Sequence, residues 1–264
     1  MIAAFRSEWV KLTRRNFAAG AIGALVGFSV AITAVSILRA NDTATRSGPM
    51  GNLTLGDLAA PGGWLAGLGA AATFLGLVAL AIFASNVAGE FTTGTIRAVL
   101  TVEPRRLSVL AGKTVALASF IAAGLAITSV AVAAVAFPLA DSEGLDTSAW
   151  TGPGALTEGL ATYLDVLLSC IAWGVFGAML AMITKSSAIA IAAGVGYFLL
   201  AEQLLFNSLW PSTEEWLPAS AMSALAEGGN ATIGFGAALG LTAAYAMGAY
   251  MFTAVTFARR DITA

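Results

Sequence analysis

Six apolar stretches, each long enough to cross a bilayer as a helix, constrain this chain more than any other feature. About 20 apolar residues span the hydrocarbon core. The stretches run at about 17–38, 64–89, 114–138, 163–184, 186–205 and 233–257. The first, second, third and sixth carry no charge, whereas the fourth holds Asp165 and the fifth Glu202. Only 11% of the 264 residues are charged and 58% are hydrophobic. A soluble domain carries about 25% charged residues, so a soluble globular fold is excluded. The expected fold class is an all-α integral membrane protein with six transmembrane helices, built as a single domain over residues 1–264.

An even number of spans puts both termini on one side, and the basic residues choose which. With the termini in the cytoplasm, eleven of the 13 Lys and Arg residues fall inside, and only Arg39 and Arg46 fall outside. Eleven of the 15 acids fall outside or near the outer surface. No cleavable leader is expected, because the run at 17–38 is longer than the apolar core of a signal peptide and no A-x-A-like site follows closely.

Ahead of the first span, Ile2, Phe5, Trp9 and Leu12 recur at spacings of three and four. Arg6, Glu8, Lys11, Arg14 and Arg15 fall mostly between them. This pattern predicts an amphipathic helix on the inner membrane surface, with Trp9 at headgroup depth. On the other side, the segments 39–63, 141–162 and 206–230 are rich in Gly, Pro and acids. The last holds Trp210-Pro211 and Trp216-Leu217-Pro218, then a short helix expected over Ala219–Leu225. Gly23/Gly27, Gly63/Gly67 and Gly236/Gly240 form small-x-x-x-small pairs, read as signs of a tightly packed bundle.

Catalytic constellations are scarce. The chain has no histidine, so Ser/His/Asp and Cys/His sets are impossible, and Glu214-Glu215 lack partners for a metalloprotease. Cys170, the one cysteine, sits in an apolar run and reads as a small core residue. Gly112-Lys113-Thr114 resembles the end of a phosphate loop, but Leu107 stands where that loop needs glycine. Lys113 is therefore read as a snorkelling anchor, and the chain is expected neither to bind ATP nor to be an enzyme by itself. Asp165 and Glu202 remain. Ionisable groups in spans mark function by default, so they are candidates for a translocation path or outer gate. The bland alternative is an outer-interface acid facing water or a neighbour such as Gln203.

A polar, basic island, residues 90–106, separates the second and third apolar runs: E-F-T-T-G-T-I-R-A-V-L-T-V-E-P-R-R. Thr92, Thr93 and Thr95 offer caps, Gly94 permits a sharp turn, and Pro104 stops a short helix over 95–101. Arg105 and Arg106 anchor the next entry to anionic headgroups. An ordinary basic loop would explain the arginines but not the acid, Glu90, at an inner membrane edge.

With Glu90-x-x-x-Gly94-Thr95-Ile96-Arg97-x-x-Leu100-Thr101-x-x-Pro104-Arg105-Arg106 followed by Lys113, the chain resembles the ABC-2-type permeases, the membrane subunits of ATP-binding-cassette exporters. Three other regions are similar to that family. They are Arg6-x-Glu8-x-x-Lys11-Leu12, Trp216-Leu217-Pro218-x-x-Ala221-x-x-x-Leu225 and Phe257-x-Arg259-Arg260-Asp261-Ile262. The resemblance implies an N-terminal interfacial helix carrying Phe5, Trp9 and Lys11. It implies a coupling helix after the second span, with Glu90 at its membrane edge, and re-entrant outer helices between the fifth and sixth spans. It implies a second permease copy or a related permease, and two ATPase subunits that bind ATP and Mg in place of this chain. The expected location is a bacterial inner membrane, with the lipid bilayer as a partner and no nucleic acid. The alternatives are a proton-coupled secondary transporter using Asp165 and Glu202, and a membrane protein that transports nothing, which would not need the island.

Overall fold

The computed structural model describes residues 2–40, 53–92, 105–206, 209 and 211–259. Among them every regular element is helical. Helix α1 covers Ile2–Leu12, α2 Arg15–Leu38, α3 Leu55–Ala59, α4 Ala66–Ala70 and α5 Ala72–Thr92. Helix α6 covers Arg106–Ser142, α7 Ala155–Thr184, α8 Ser187–Gly196, α9 Pro218–Ala226 and α10 Phe235–Arg259. Short 3₁₀ turns occupy Gly63–Leu65, Ser148–Thr151 and Pro211–Trp216, and a π-helix continues α8 over Tyr197–Phe206.

Five helices, α2, α5, α6, α7 and α10, are long and apolar enough to cross a membrane. Apolar side chains cover their outer faces: Val130 is 71% exposed and Met251 64%. In water such a surface would drive aggregation; against lipid it costs nothing. The chain is a multi-pass α-helical membrane protein. Helices α5 and α7 pack along each other at the centre, with α2, α6, α8, α9 and α10 around them. The core between them holds Leu75, Ile82, Phe83, Val166, Cys170 and Met182.

Two expected spans are not single α-helices. The run at 64–89 is divided into a 3₁₀ turn, α4 and α5, with the break at Ala71. A Cβ on Gly63 would collide with the Leu58 carbonyl and one on Gly67 with Thr33 of α2, so both are kept small for close approach while weakening the helix they sit in. The run at 186–205 begins as α8 and widens into the π-helix from Tyr197. A single α-helix over these residues was the expectation; the widening brings Glu202 against the start of α9, as described below.

Of the three glycine pairs read as packing signals, only Gly63/Gly67 meets a neighbour closely. Gly23, Gly27, Gly236 and Gly240 have open space where a Cβ would stand. The close approaches involve glycines that the pairing rule passed over, such as Gly76, against which the Trp173 ring lies.

The bundle has two dissimilar ends. One carries α1, the C-terminal end of α5 and the start of α6. The other is capped by indoles: Trp150 Nε1 donates to the Leu58 carbonyl at 2.7 Å, and Trp64 Nε1 to the Ala155 carbonyl at 3.2 Å. The helix expected near Ala219–Leu225 is α9, at this second end.

Candidate functional site

Helix α1 does not lie on the protein as a simple amphipathic strip. Phe5 and Trp9 stack 5.7 Å apart and pack against the core, and Leu12 is 1% exposed. Ile2 instead is 74% exposed. Glu8, expected among the water-facing charges, is 4% exposed. It and Lys11 lie one turn apart and point the same way, towards α5 and α6.

There they meet three groups from two other helices. Asn86 and Glu90 are one turn apart on the last turns of α5, and Lys113 is two turns into α6. Lys113 Nζ lies 2.6 Å from Asn86 Oδ1, 2.8 Å from Glu90 Oε1 and 3.4 Å from Glu8 Oε2. Lys11 Nζ lies 2.7 Å from Glu8 Oε1 and 3.1 Å from Glu90 Oε1. Asn86 Nδ2 donates to Glu8 Oε2 at 3.0 Å. Two carboxylates and two ammoniums thus form a closed, charge-balanced cluster joining α1, α5 and α6.

The cluster corrects the reading of Lys113 as a snorkelling anchor. The residue is 4% exposed, and its ammonium donates to Asn86 and pairs with Glu90 and Glu8. It also explains Glu90. An acid near a helix C-terminus opposes the helix dipole, but two lysines offset it here, and Glu90 is 8% exposed. Burial would push the Glu8 carboxyl up, but the Lys113 charge and hydrogen bonds from Lys11 and Asn86 outweigh it and hold the group below its ordinary value. Lys11 is held up in turn: burial opposes its charge, and Glu8 and Glu90 more than compensate. Sequence reasoning named Glu90 and Lys11 separately and missed Glu8, Asn86 and Lys113 as their partners.

Of the island, Glu90, Phe91, Thr92, Arg105 and Arg106 are described. Gly94, Thr95, Ile96, Arg97, Leu100, Thr101 and Pro104 lie outside the described residues. Thr92 closes α5 by donating to the Gly89 carbonyl at 3.0 Å. Arg105 is exposed and precedes the first turn of α6. Arg106 reaches the last turn of α10, donating to the Phe257 and Ala258 carbonyls at 3.4 and 3.1 Å. Its guanidinium therefore satisfies helix-end carbonyls, whereas a headgroup contact was expected.

At the other end the two span acids part company. Glu202 is fully buried. Its Oε1 accepts from the Ala219 N–H at 2.9 Å and its Oε2 from the Ser220 N–H at 3.1 Å. It thus caps α9 from a distant segment, next to Pro218 at the first helical position. Of the two bland alternatives, water or a neighbour, burial and these two bonds select a neighbour: the π-helix aims Glu202 inward. Asp165 is half-exposed in the wall of a cavity of about 1100 Å³. Glu202 is not part of that wall. Among the described residues no group of acids or cysteine is arranged to hold a metal ion.

Fold and site define a polytopic helical membrane protein with a buried charge cluster at one end and a wide cavity at the other. A family described as a protein of unknown function, DUF2705, matches residues 65–263, and the chain belongs to that family. Asn86, Glu90 and Lys113 lie within the matched region; Glu8 and Lys11 precede it. No curated protein matches the chain.

Proposed function

We propose that the chain is the membrane permease subunit of an ATP-binding-cassette exporter of the ABC-2 type. The reading begins with the ordered resemblance through Glu90–Arg106. One structural observation supports it above the others: Glu90, at the root of that island, is buried and held by Lys11 and Lys113. A loop that merely joins two spans needs no such mount. A lever does, because force applied to a soft root is lost before it reaches the helices.

In this reading the α1 end is cytoplasmic, and residues 187–206 supply the sixth crossing. The 3₁₀ turn at Pro211–Trp216 and α9 form the re-entrant outer elements. Two permease subunits pair in a bacterial inner membrane, and two ATPase subunits bind ATP and Mg below them. Closure of the ATPase pair moves the islands, and the populations of inward- and outward-facing states shift. The ATPase binds one state more tightly; no nucleotide touches this chain. The substrate is amphipathic or lipophilic, in keeping with an apolar, small-residue interior.

The test is purification of the tagged protein from its native membrane in mild detergent, with mass spectrometry and an ATPase assay. An ATP-binding-cassette subunit should co-purify and be lost with Arg97→Ala. Its absence in several detergents, with the permease intact, would overturn the proposal. Glu202, fully buried in a span, favours proton-coupled secondary transport as the second reading. Against it, both carboxylate oxygens are engaged by backbone N–H groups. Transport that stops with a protonophore while ATP is held constant would select that reading.

A further inference from the structure

Helix α1 has two faces, and the charge cluster uses only one. Phe5, Glu8, Trp9 and Leu12 turn towards the bundle. Ile2, Arg6 and Val10, at four-residue steps, run along the opposite side of the helix. Ile2 is 74% exposed and Val10 66%, with exposed Arg6 between them. Arg14 and Arg15, both exposed, follow at the turn into α2, and Phe17 is exposed at the first turn of that helix. Among the described residues, none pairs with the guanidinium of Arg6, Arg14 or Arg15. Glu8 is the one acid in residues 1–16, and the buried cluster consumes it. The outward face is therefore positive, and its own segment offers nothing to offset it.

The depth of this face is fixed by covalent geometry. Only Thr13 and Arg14 separate α1 from α2, a link of about 10 Å at full stretch. Helix α2 is one of those long and apolar enough to cross the membrane, and it begins at Arg15. On its inner side α1 is fixed to α6 through Glu8 and Lys113. The helix is thus tied beside the start of a crossing, where headgroups lie. A positive face alone would suit an acidic protein or a free anion as well. Apolar side chains set between and beside the arginines favour a ligand that presents phosphate and hydrocarbon together. A guanidinium matches phosphate oxygens in pairs, and apolar residues on a basic interfacial helix are covered by acyl chains.

We propose that the outward face of α1 and the α1–α2 turn dock acidic phospholipid. Arg6, Arg14 and Arg15 meet its headgroups, and Ile2, Val10 and Phe17 enter among its acyl chains. The face that meets the membrane is then the one opposite the packed Phe5–Trp9 pair. This goes beyond the export reading: it needs no ATPase and would hold for a chain that transports nothing.

The test places a fluorophore on Val10→Cys of the whole chain, reconstituted in phosphatidylcholine vesicles. The vesicles carry equal small fractions of a quencher, either phosphatidylglycerol or phosphatidylcholine with a nitroxide high on the same acyl chain. The phosphatidylglycerol quencher should be enriched at the fluorophore at least about fivefold over its neutral counterpart, a modest share of what three arginines near a surface can supply. The preference should shrink in high salt. It should vanish in Arg6→Gln/Arg14→Gln/Arg15→Gln and fall in part in Arg6→Gln, which serves if the triple variant does not fold. Equal quenching by the two lipids, or a preference that survives in the folded arginine variants, would overturn the proposal. A fluorophore that neither lipid quenches would also overturn it and leave the face to an acidic protein. Inorganic phosphate at matched ionic strength should leave the preference intact; its loss would assign the arginines to a free anion instead. None of these results touches the ATPase co-purification, so the two readings fail separately.

Discussion

At the scale of single residues, the chemistry concentrates where α1, α5 and α6 meet. A buried charge that loses its partner costs about 3–5 kcal/mol, whereas replacing both members with apolar groups of similar size is often neutral. Glu90→Ala should therefore lower the unfolding midpoint in detergent sharply by leaving Lys11 and buried Lys113 to share Glu8. The double variant Glu90→Leu/Lys113→Met should recover most of the loss, leaving Lys11 to reach solvent. If the double variant unfolds as early as Glu90→Ala, the ammonium–carboxylate contact is not what holds this junction. Acid should release α1 as well. Glu8 is held below its ordinary value of 4.5 in the folded chain. Its contribution is complete above that ordinary value and is lost as pH falls through the lower folded one. Lys11, held above 10.5, acts oppositely: its contribution is complete below that value and lost as pH rises through the folded one. A fluorophore on Ile2→Cys should report docked α1 from about pH 5 to about pH 10 and release below it. Release unchanged in Glu8→Gln would assign the transition to another group.

At the scale of elements, the backbone departs from a plain α-helix where a side chain must be aimed or a neighbour admitted. The π-helix over Tyr197–Phe206 turns Glu202 onto the first N–H groups of α9, and Tyr245 of α10 donates its hydroxyl to the Trp216 carbonyl just before α9. Removing the cap should loosen α9 alone. Glu202→Ala is expected to cost about 1–3 kcal/mol for the buried Ala219 donor it uncaps and less for the part-buried Ser220 donor, and Glu202→Gln less, since the amide oxygen still accepts. Hydrogen exchange confined to the start of α9 would confirm this assignment; global melting with no local step would refute it. The apolar runs that became α2, α5, α6, α7 and α10 were legible because hydropathy is local. The breaks were not. The close approach of Thr33 to Gly67, in the short helix before the division at Ala71, joins segments far apart in sequence. The charge cluster was hidden for the same reason. Glu8 and Lys11 showed their i, i+3 spacing, and Lys113 stood oddly among apolar residues, but nothing local said that the two would meet. Gly23 and Gly27 mislead in the other direction, since their spacing invites a close neighbour and the folded chain supplies none.

For the whole molecule, the decisive property is polarity along the bundle axis. The α1 end gathers Lys11, Arg105, Arg106 and Lys113, while the cavity end gathers Asp57, Glu158, Glu214 and Glu227. Positive charge resists transfer across an energised membrane, and the proposed orientation, with the α1 end in the cytoplasm, is the one this bias predicts. The chain supplies its own clean background for testing this. Its one thiol, Cys170, is fully buried and so out of reach of an aqueous reagent. Single cysteines at exposed Thr13, just beyond α1, and exposed Ser142, at the end of α6, sit at opposite ends of the bundle. In intact cells a membrane-impermeant maleimide should label Ser142→Cys and spare Thr13→Cys; inverted vesicles should reverse the pattern. The unmodified chain should stay dark in both. Thr13→Cys labelled from outside would invert the molecule. The island beyond Glu90 would then face away from any cytoplasmic ATPase, and the export reading would fall with the topology. Labelling of both positions from one side would instead mean an even number of crossings between them, where α2, α5 and α6 make three.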